Sequence, residues 1–427
     1  MVLLALPVVQ ITDHKFLLMA TDSLLRRGTL RLDGLALRGA TLVPGAGARS
    51  PDYRIEVAEG HYYHSFPVGT AILSAPLVAI GRAFGVVSVD GNGAYESRGE
   101  RLLNRVGAAG VVALIVVPFF AIARSFASAR ASVVLTTAVI LGSPLTSTAS
   151  RGLWSHDFGV LLVAFALAHI LVTERRGRAI QPVWLGSLLA WAFLSRPTFA
   201  LAVVACVAPL AVAPRTRRAA VGTVVVLVVW LLPFLVWAHA SRGGWLPSYY
   251  QPSRLHLAGF ARGFLGNLLS PSRGVLVFVP WLPWLAWVAW RQRDRFEARR
   301  WIVIAALVTV AELLVVASFP KWYGGHSYGA RMMTDVVPWW FAALAIVTGS
   351  FGTVDASANA RYRRLPIRSG VAFFAIAIAL NVLGAASQAS WRWNALSGGI
   401  DASVERLWSW REAQFLAPLL PEPLAAR

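Results

Sequence analysis

Cysteine, lysine and charge are scarce in this chain, and each scarcity excludes something. The one cysteine, Cys206, lies inside an apolar run, which rules out an intramolecular disulfide and disfavours a thiol–metal site. Lys15 and Lys321 are the only lysines, so arginine carries nearly all of the positive charge. Charged residues make up 14% of the chain against 57% hydrophobic, with a mean hydropathy of +0.59, well outside the soluble range. Walker, Rossmann and zincin patterns are absent, which argues against a soluble-nucleotide enzyme or a primary pump. There is also no fixed-period repeat, no low-complexity stretch and no separate soluble domain. No cleavable signal peptide is evident, because a basic n-region and a small-residue cleavage site are both missing.

What is present is apolar sequence of membrane-spanning length, repeated along the chain. Spans are predicted near 102–123, 131–148, 157–173, 182–195, 197–213, 219–240, 274–290, 301–319, 334–350 and 370–387. A first segment near 2–12 is too short: eleven residues rise about 16 Å against a hydrocarbon core of about 30 Å, and a truncated N-terminus is expected. The net charge of +20 falls in short arginine clusters between these runs, the footprint of topology rather than of a nucleic-acid stripe. The segment 67–84 is apolar enough to span. If it instead lies along the surface as a juxtamembrane helix, the clusters Arg124/Arg130, Arg175–Arg178, Arg215–Arg218, Arg291–Arg300 and Arg361–Arg368 all become cytoplasmic. The positive-inside rule favours that arrangement. The expected fold is therefore an all-α integral membrane protein of about eleven transmembrane helices, one multi-span domain over 1–427. Residues 13–100 and 242–273 form long external loops in it, and 388–427 an external tail.

Within the first loop, Asp13 is expected to open a helix running to Arg27, with Thr12 as N-cap, Arg26 and Arg27 in the last turn, and Gly28 as the stop. Tyr53–Val57 and Tyr62–Phe66, joined through Glu59-Gly60, predict a hairpin over the membrane face. Pro247 to Gly266 predicts an interfacial helix.

Under this topology the outer ends of the spans collect Asp13, Arg151 with His156 and Asp157, Arg196, Arg273, the run Lys321 to Arg331, and Asp335. Ionisable groups at membrane depth are expensive and usually face a cavity, so an external polar cleft is the expected site. Each motif also has a plain structural alternative. Asp13 suits the first turn of a surface helix; Arg151 to Asp157 a solvated turn; Arg196 a hairpin arginine snorkelling to phosphates; Ser270 to Gly274 a helix entrance; and 321–331 a structural loop. In that last run Gly324, Gly325 and Gly329 permit close backbone approach, Trp322 and Tyr323 offer flat faces for a sugar, and His326 and Arg331 offer donors. Glu312, mid-span, is expected to be protonated or bonded to another span and to stand apart from the site. Trp281, Trp284, Trp287 and Trp290 suit a packing or lipid-facing stripe better than a ligand cage. His61 and His64 lack partners at metal-site spacing; a divalent cation stays open, with no other cofactor expected.

The layout suits a lipid-linked sugar phosphate, whose head group sits at the outer face. Cleavage of the sugar–phosphate bond develops oxocarbenium character on the sugar and negative charge on the phosphate. Arg273, Arg331 and Arg196 fit the phosphate, and Asp13 fits a general base that deprotonates an acceptor hydroxyl. One displacement with one base inverts the anomeric centre. Asp157 suits positioning of the acceptor, holding of His156, or a cation.

The motifs Thr12-Asp13, His61 to Gly69, Arg151 to Asp157, Ser270 to Gly274 with Pro280, and Trp322 to Arg331 with Pro338 resemble those of the GT-C superfamily of polyprenyl-phosphate-sugar-dependent glycosyltransferases. That group includes protein O-mannosyltransferases and the lipid A aminoarabinose transferase, and the last two motifs look like those of uncharacterised bacterial members. The resemblance implies hexosyl or pentosyl transfer, a polyprenyl-phosphate sugar donor, a glycan, lipid or protein acceptor, and a bacterial plasma membrane with the site outside. It implies Asp13 as the first-loop catalytic carboxylate and Asp157 as the second-loop acid. Many members carry two adjacent acids at the first position, and here the second is His14. Two other functions compete: a transporter or flippase of lipid-linked glycans, and a non-catalytic envelope assembly protein.

Overall fold

The structure, a computed structural model, describes residues 2–37, 39–296, 298–349 and 360–419, without the side chains of Arg295 and 360–366. The side chains of Arg361, Arg363 and Arg364 of the last predicted basic cluster, and residues 420–427 of the predicted tail, thus lie outside what the structure describes.

Helices dominate. Among the described residues six are long and apolar enough to cross a membrane: Ser97–Arg124, Ser155–Arg175, Arg217–Arg242, Arg299–Ala317, Arg331–Gly349 and Ile367–Ala386. Ala129–Leu141 and Pro144–Arg151 make a seventh crossing if their 50° bend is read as one broken span. The bend follows from sequence: Pro144 has no N–H to extend the ladder, and the Ser143 hydroxyl caps the Leu145 N–H.

Helix length supports fewer full crossings than the eleven predicted. Every predicted span from 102 onward coincides with helix, yet Pro182–Ser195 and Pro197–Val212 are short and meet at Arg196-Pro197. The 274–290 span is divided into Val275–Phe278 and Trp281–Arg291 around Pro280. Apolar runs do not reveal where a proline interrupts them in space.

The faces are sorted as a bilayer requires. On Arg217–Arg242, Val224, Val225, Val228, Val229, Leu232 and Val236 are exposed, which in water would be a large apolar patch. Arg299–Ala317 exposes Val303, Leu307, Val310 and Leu314 as a stripe and buries Trp301, Ala305, Val308 and Glu312 opposite. Arg331–Gly349 runs through the centre and is almost wholly buried. Glycine permits the tightest contacts: a Cβ on Gly159 would fall 1.9 Å from the Phe199 ring, and one on Gly69 2.4 Å from the Leu194 backbone. The tryptophan series divides, with Trp281 and Trp284 buried and Trp287 and Trp290 exposed.

Loops assigned to one side by charge do meet. Glu174, at the far end of Ser155–Arg175, accepts from Arg300 (2.5 Å) and from the Trp301 indole (2.9 Å). At the other end, Glu56 of the hairpin accepts from Arg242 and, at 2.6 Å, from Ser248.

Three local expectations need correction. After a short helix Val2–Ala5, the helix of the first loop is Leu17–Arg27 rather than one opened by Asp13: Phe16 precedes it with φ +70°, and the Thr12 hydroxyl has no partner among the described residues. Asp13 instead sits in a turn closed by Lys15 N–H to Thr12 C=O (3.1 Å) and Leu17 N–H to His14 C=O (3.1 Å). The Gly28 stop is as expected, its N–H bonding to the Leu24 carbonyl. Pro247 to Gly266 is not one helix; only Phe260–Leu269 is α-helical, after two short 3-10 turns. Residues 67–84 form two helices, Val68–Leu73 and Ala75–Ala83, separated at Ser74.

The predicted hairpin is present as Ile55–Ala58 against antiparallel His61–His64, with Glu59 and Gly60 both at positive φ in its turn. The tail folds back through Gln388–Arg392 and 3-10 turns onto the 321–331 loop.

Candidate active site

Asp13 is joined to the chain's far half. Its Oδ2 accepts from Arg331 Nη2 at 2.8 Å and its Oδ1 from the Tyr53 hydroxyl at 3.2 Å. Arg54 holds the turn beneath it by donating to the Thr12 carbonyl at 2.5 Å. Arg331 lies flat on the Trp154 ring, 3.6 Å from its centroid, and donates Nη1 to the Gly324 carbonyl at 2.6 Å. That carbonyl is presented by a left-handed Gly324, φ +71°. Among the described residues the Nε–H of Arg331 has no partner. Burial alone would raise the Asp13 carboxyl, but Arg331, His14 and the Tyr53 hydroxyl outweigh it and hold the group below its ordinary value. Asp13 is thus an ionised carboxylate with 29% of its side chain open to solvent.

Beside this pair lies a fully buried network. His156 Nδ1 bonds Asp335 Oδ1 at 2.6 Å; Asp335 Oδ2 accepts from Arg196 Nε at 2.8 Å and from the Thr198 hydroxyl at 2.5 Å. Arg196 Nη1 reaches Ser155 (3.1 Å) and the Tyr249 hydroxyl (3.3 Å). Glu312 is not apart from these residues: its carboxyl lies near enough to Asp335 and Arg196 to feel the charge of both. Four ionisable residues from four segments thus cluster around Asp335, while His156 Nε2 and Glu312 Oε1 stay without a partner among the described residues. Asp157 does not hold His156; that role falls to Asp335. Asp157 Oδ2 accepts the Trp154 N–H at 3.0 Å at the start of Ser155–Arg175, and its buried Oδ1 has no partner among the described residues.

The other predicted phosphate and sugar ligands are committed elsewhere. Arg273 donates to the carbonyls of Tyr323 (2.9 Å), Ser272 (2.8 Å) and Gly325 (3.4 Å), to Asn394 Oδ1 (2.8 Å) and to Gln414 Oε1. It staples the tail to the 321–331 loop and leaves no N–H for a phosphate; burial draws its guanidinium down to about 9. Arg151 donates to the carbonyls of Leu3, Leu6 and Val8 and to the Ser150 hydroxyl, and so anchors the N-terminal segment. Trp322 is buried edge-on against Tyr323 and beside Trp408, with Gly266 beneath it, so no face is left for a sugar. The Tyr323 hydroxyl donates to Asp401 at 2.6 Å. His326 is half-buried over Gly399, and burial lowers its imidazole below the ordinary value.

No protein-family model matches the chain, and no curated protein matches it in sequence. One solved structure is similar in shape. It is the archaeal oligosaccharyltransferase AglB from Archaeoglobus fulgidus, in complex with an inhibitory peptide and a dolichol-phosphate. The similarity has a TM-score of 0.47 at 12% identity over 96% of this chain, which spans 60% of that protein's length.

Of the residues expected from sequence, Asp13 and Arg331 meet directly, and His156 and Arg196 meet through Asp335. Arg151, Arg273, Trp322, Tyr323 and His326 stand in separate contacts. Tyr53, in the predicted hairpin, Trp154, in the Arg151–Asp157 motif, and Thr198 and Tyr249 carry no expected site role; each acquires its role from a residue between 40 and 177 positions away. Asp335 stood among the outer polar residues without a role. Among the described residues no three His, Cys, Asp or Glu side chains come together to hold a metal ion.

Two concavities flank the hairpin. A narrow polar cleft of about 10 Å³, room for about one water, is lined by Asp13, His14, His64, Thr70, Trp154 and Arg331. An apolar groove of about 560 Å³ is lined by Tyr63, Val68, Trp191, Trp230, Phe234 and Trp237. Between them run the strand His61–His64 and the helix Val68–Leu73. Tyr63 turns to the groove and His64 to the cleft, as strand alternation requires.

Proposed function

We propose that this chain is an inverting membrane glycosyltransferase, moving a hexosyl or pentosyl group from a polyprenyl-phosphate donor to an acceptor hydroxyl at the outer face of a bacterial plasma membrane. The observation that carries it is the Asp13 carboxylate: ionised, part-exposed at the mouth of a polar cleft, and fixed by Arg331 and Tyr53. In this reaction the acceptor oxygen attacks the anomeric carbon while its proton passes to Asp13. The bond from that carbon to the phosphate oxygen breaks, and the electron pair leaves with the polyprenyl phosphate. Attack opposite the leaving group inverts the centre. The unpartnered Nε–H of Arg331 is the donor in this site suited to the developing phosphate charge. Arg196 supports the site as a positioning residue through Asp335 and Ser155. The apolar groove across the hairpin suits an isoprenoid chain. Arginine clusters at the opposite loops favour an outward orientation for the cleft, and the motif resemblance points to the same chemistry.

The test is Asp13→Asn assayed in membranes supplied with lipid-linked sugar. Transfer should fall about 10²–10⁴-fold, the usual contribution of a general base. Transfer at the parental rate removes Asp13 from the mechanism. Movement of lipid-linked sugar across the membrane in both forms, with no acceptor modified, would favour a flippase instead.

A further inference from the structure

The apolar groove on the far side of the hairpin has one charged residue in its wall, Arg31. Trp230, Pro233, Phe234, Trp237, Ala240 and Ser241 of Arg217–Arg242 form one side, so the groove descends about 16 Å along that helix. Its two ends differ. At the deep end Trp191 and Trp230 meet edge to face, with ring centroids 5.4 Å apart. At the loop end Arg31 donates Nε–H to the Tyr63 hydroxyl at 3.2 Å, and Arg242 lies 4.7 Å over the Tyr63 ring. A guanidinium thus stands at the outer mouth of a channel whose wall is otherwise uncharged.

Arg31 is also a charge that the protein leaves uncompensated. The acids on the neighbouring segments are taken: Asp22 by Arg26 and Arg82, Asp33 by His61 and the Tyr62 N–H, and Glu56 by Arg242 and Ser248. Among the described residues Arg31 forms no ion pair, and its Nη1 and Nη2 have no acceptor. Arg27 is held beside it, donating to the Arg31 carbonyl at 2.7 Å and the Asp33 carbonyl at 2.6 Å, and it too lacks an ion pair among the described residues. Two guanidiniums therefore meet only neutral acceptors. A phosphate monoester brings nearly two negative charges and three acceptor oxygens, which is the complement of this mouth.

A lipid lying here has the strand His61–His64 between its head group and Asp13, because Tyr63 faces the groove and His64 the cleft. A phosphate at Arg31 is therefore kept apart from the base. We propose that the groove is a holding site for the spent carrier, a polyprenyl phosphate whose chain runs along Trp191, Phe234 and Trp237 and whose phosphate sits on Arg31, with Arg27 adding charge. The sugar-bearing donor is a phosphodiester with a single negative charge, so two uncompensated guanidiniums favour the carrier after its sugar has gone. A bilayer phospholipid is likewise singly charged at its diester and brings two chains to one channel. The identity of the carrier rests on the transferase reading, but its binding can be measured without catalysis. Arg31 then sets the affinity for product independently of the affinity for donor.

Native mass spectrometry of the detergent-solubilised chain tests this with undecaprenyl phosphate as the probe. Undecaprenol, phosphatidylglycerol and inorganic phosphate are the comparators. Undecaprenyl phosphate should bind at least tenfold tighter than each of them. Arg31→Gln should remove that advantage, while Arg331→Lys in the cleft should leave it within twofold. Ala240 is exposed in the groove wall, so Ala240→Trp fills the channel and should weaken binding at least fivefold even if the Arg31 variant fails to fold. Equal binding of phosphatidylglycerol or of inorganic phosphate, binding lost in Arg331→Lys but kept in Arg31→Gln, or full affinity in folded Ala240→Trp would each overturn the assignment. Arg31-dependent binding in a protein with no transferase activity supports the holding site and removes the transferase reading. Transfer from lipid-linked sugar with no undecaprenyl phosphate bound does the reverse.

Discussion

Arg331 makes three contacts at once, and each needs a planar guanidinium: the ion pair with Asp13, the bond to the Gly324 carbonyl and the stack on Trp154. Lysine offers a point charge on a flexible stem and cannot do all three. Arg331→Lys should keep the fold and lower transfer at least tenfold, read as a fall in kcat for lipid-linked sugar; an unchanged kcat would mean that Asp13 is positioned by other groups. The buried histidines make a second expectation. His14 and His64 stay neutral in the native chain until about pH 3 and 4, whereas in the unfolded chain they take up protons near their ordinary 6.5. In the window between, the unfolded state binds more protons, so stability rises with pH and is lost on acidification. Each should contribute about 1.4 kcal/mol per pH unit there. Thermal melts from pH 7 to 4.5 should show a fall in Tm, and His64→Phe should flatten it.

How elements approach one another was less legible than what they are. The apolar runs located helix at every predicted span from 102 onward, and Glu59-Gly60 located the hairpin turn, because both depend on local pattern. Which arginines are free did not follow. Arg273 lies in a motif suited to phosphate, yet its partners are carbonyls and amides up to 141 residues away, and a guanidinium reads the same in sequence whichever it meets. Asp13 and Arg331 were both singled out, but their pairing across 318 positions came from packing alone. The glycine contacts belong to this scale too. Gly69→Ala pushes a Cβ into the Leu194 backbone, which cannot yield as a side-chain end can, whereas Gly110→Ala meets open space. The first should cost about 1–3 kcal/mol and lower Tm in detergent, while the second should leave it unchanged. Equal melting temperatures would mean that the Val68–Leu73 helix can slide on Pro182–Ser195.

Across the whole molecule, the site is assembled from both ends of the chain. The Asp13 turn, the loop ending at Arg331 and the tail from Gln388 onward converge, and Arg273 with Gln414 joins the last two. Arg273→Met removes the five hydrogen bonds that the guanidinium makes while leaving the spans alone. Limited proteolysis should then cut between 388 and 419 at least ten times faster, and transfer should fall through looser placement of the 321–331 loop. An unaltered cleavage rate would show that the remaining contacts, Gln414 to the Ser327 carbonyl, Tyr323 and Lys321 to Asp401, and the packing of Trp322 and Trp393, hold the tail.

The strand His61–His64 separates the apolar groove from the polar cleft by a single layer of backbone, with consecutive residues belonging to opposite worlds. Its register therefore acts as a parity bit. Inserting one residue in the Glu59-Gly60 turn would leave composition, charge and hydropathy almost untouched, yet slide the strand by one step and send an imidazole toward the groove and a phenol ring toward Asp13. Inserting two would restore the sidedness. A chain that tolerates the second change and not the first would be telling lipid from sugar by counting residues modulo two.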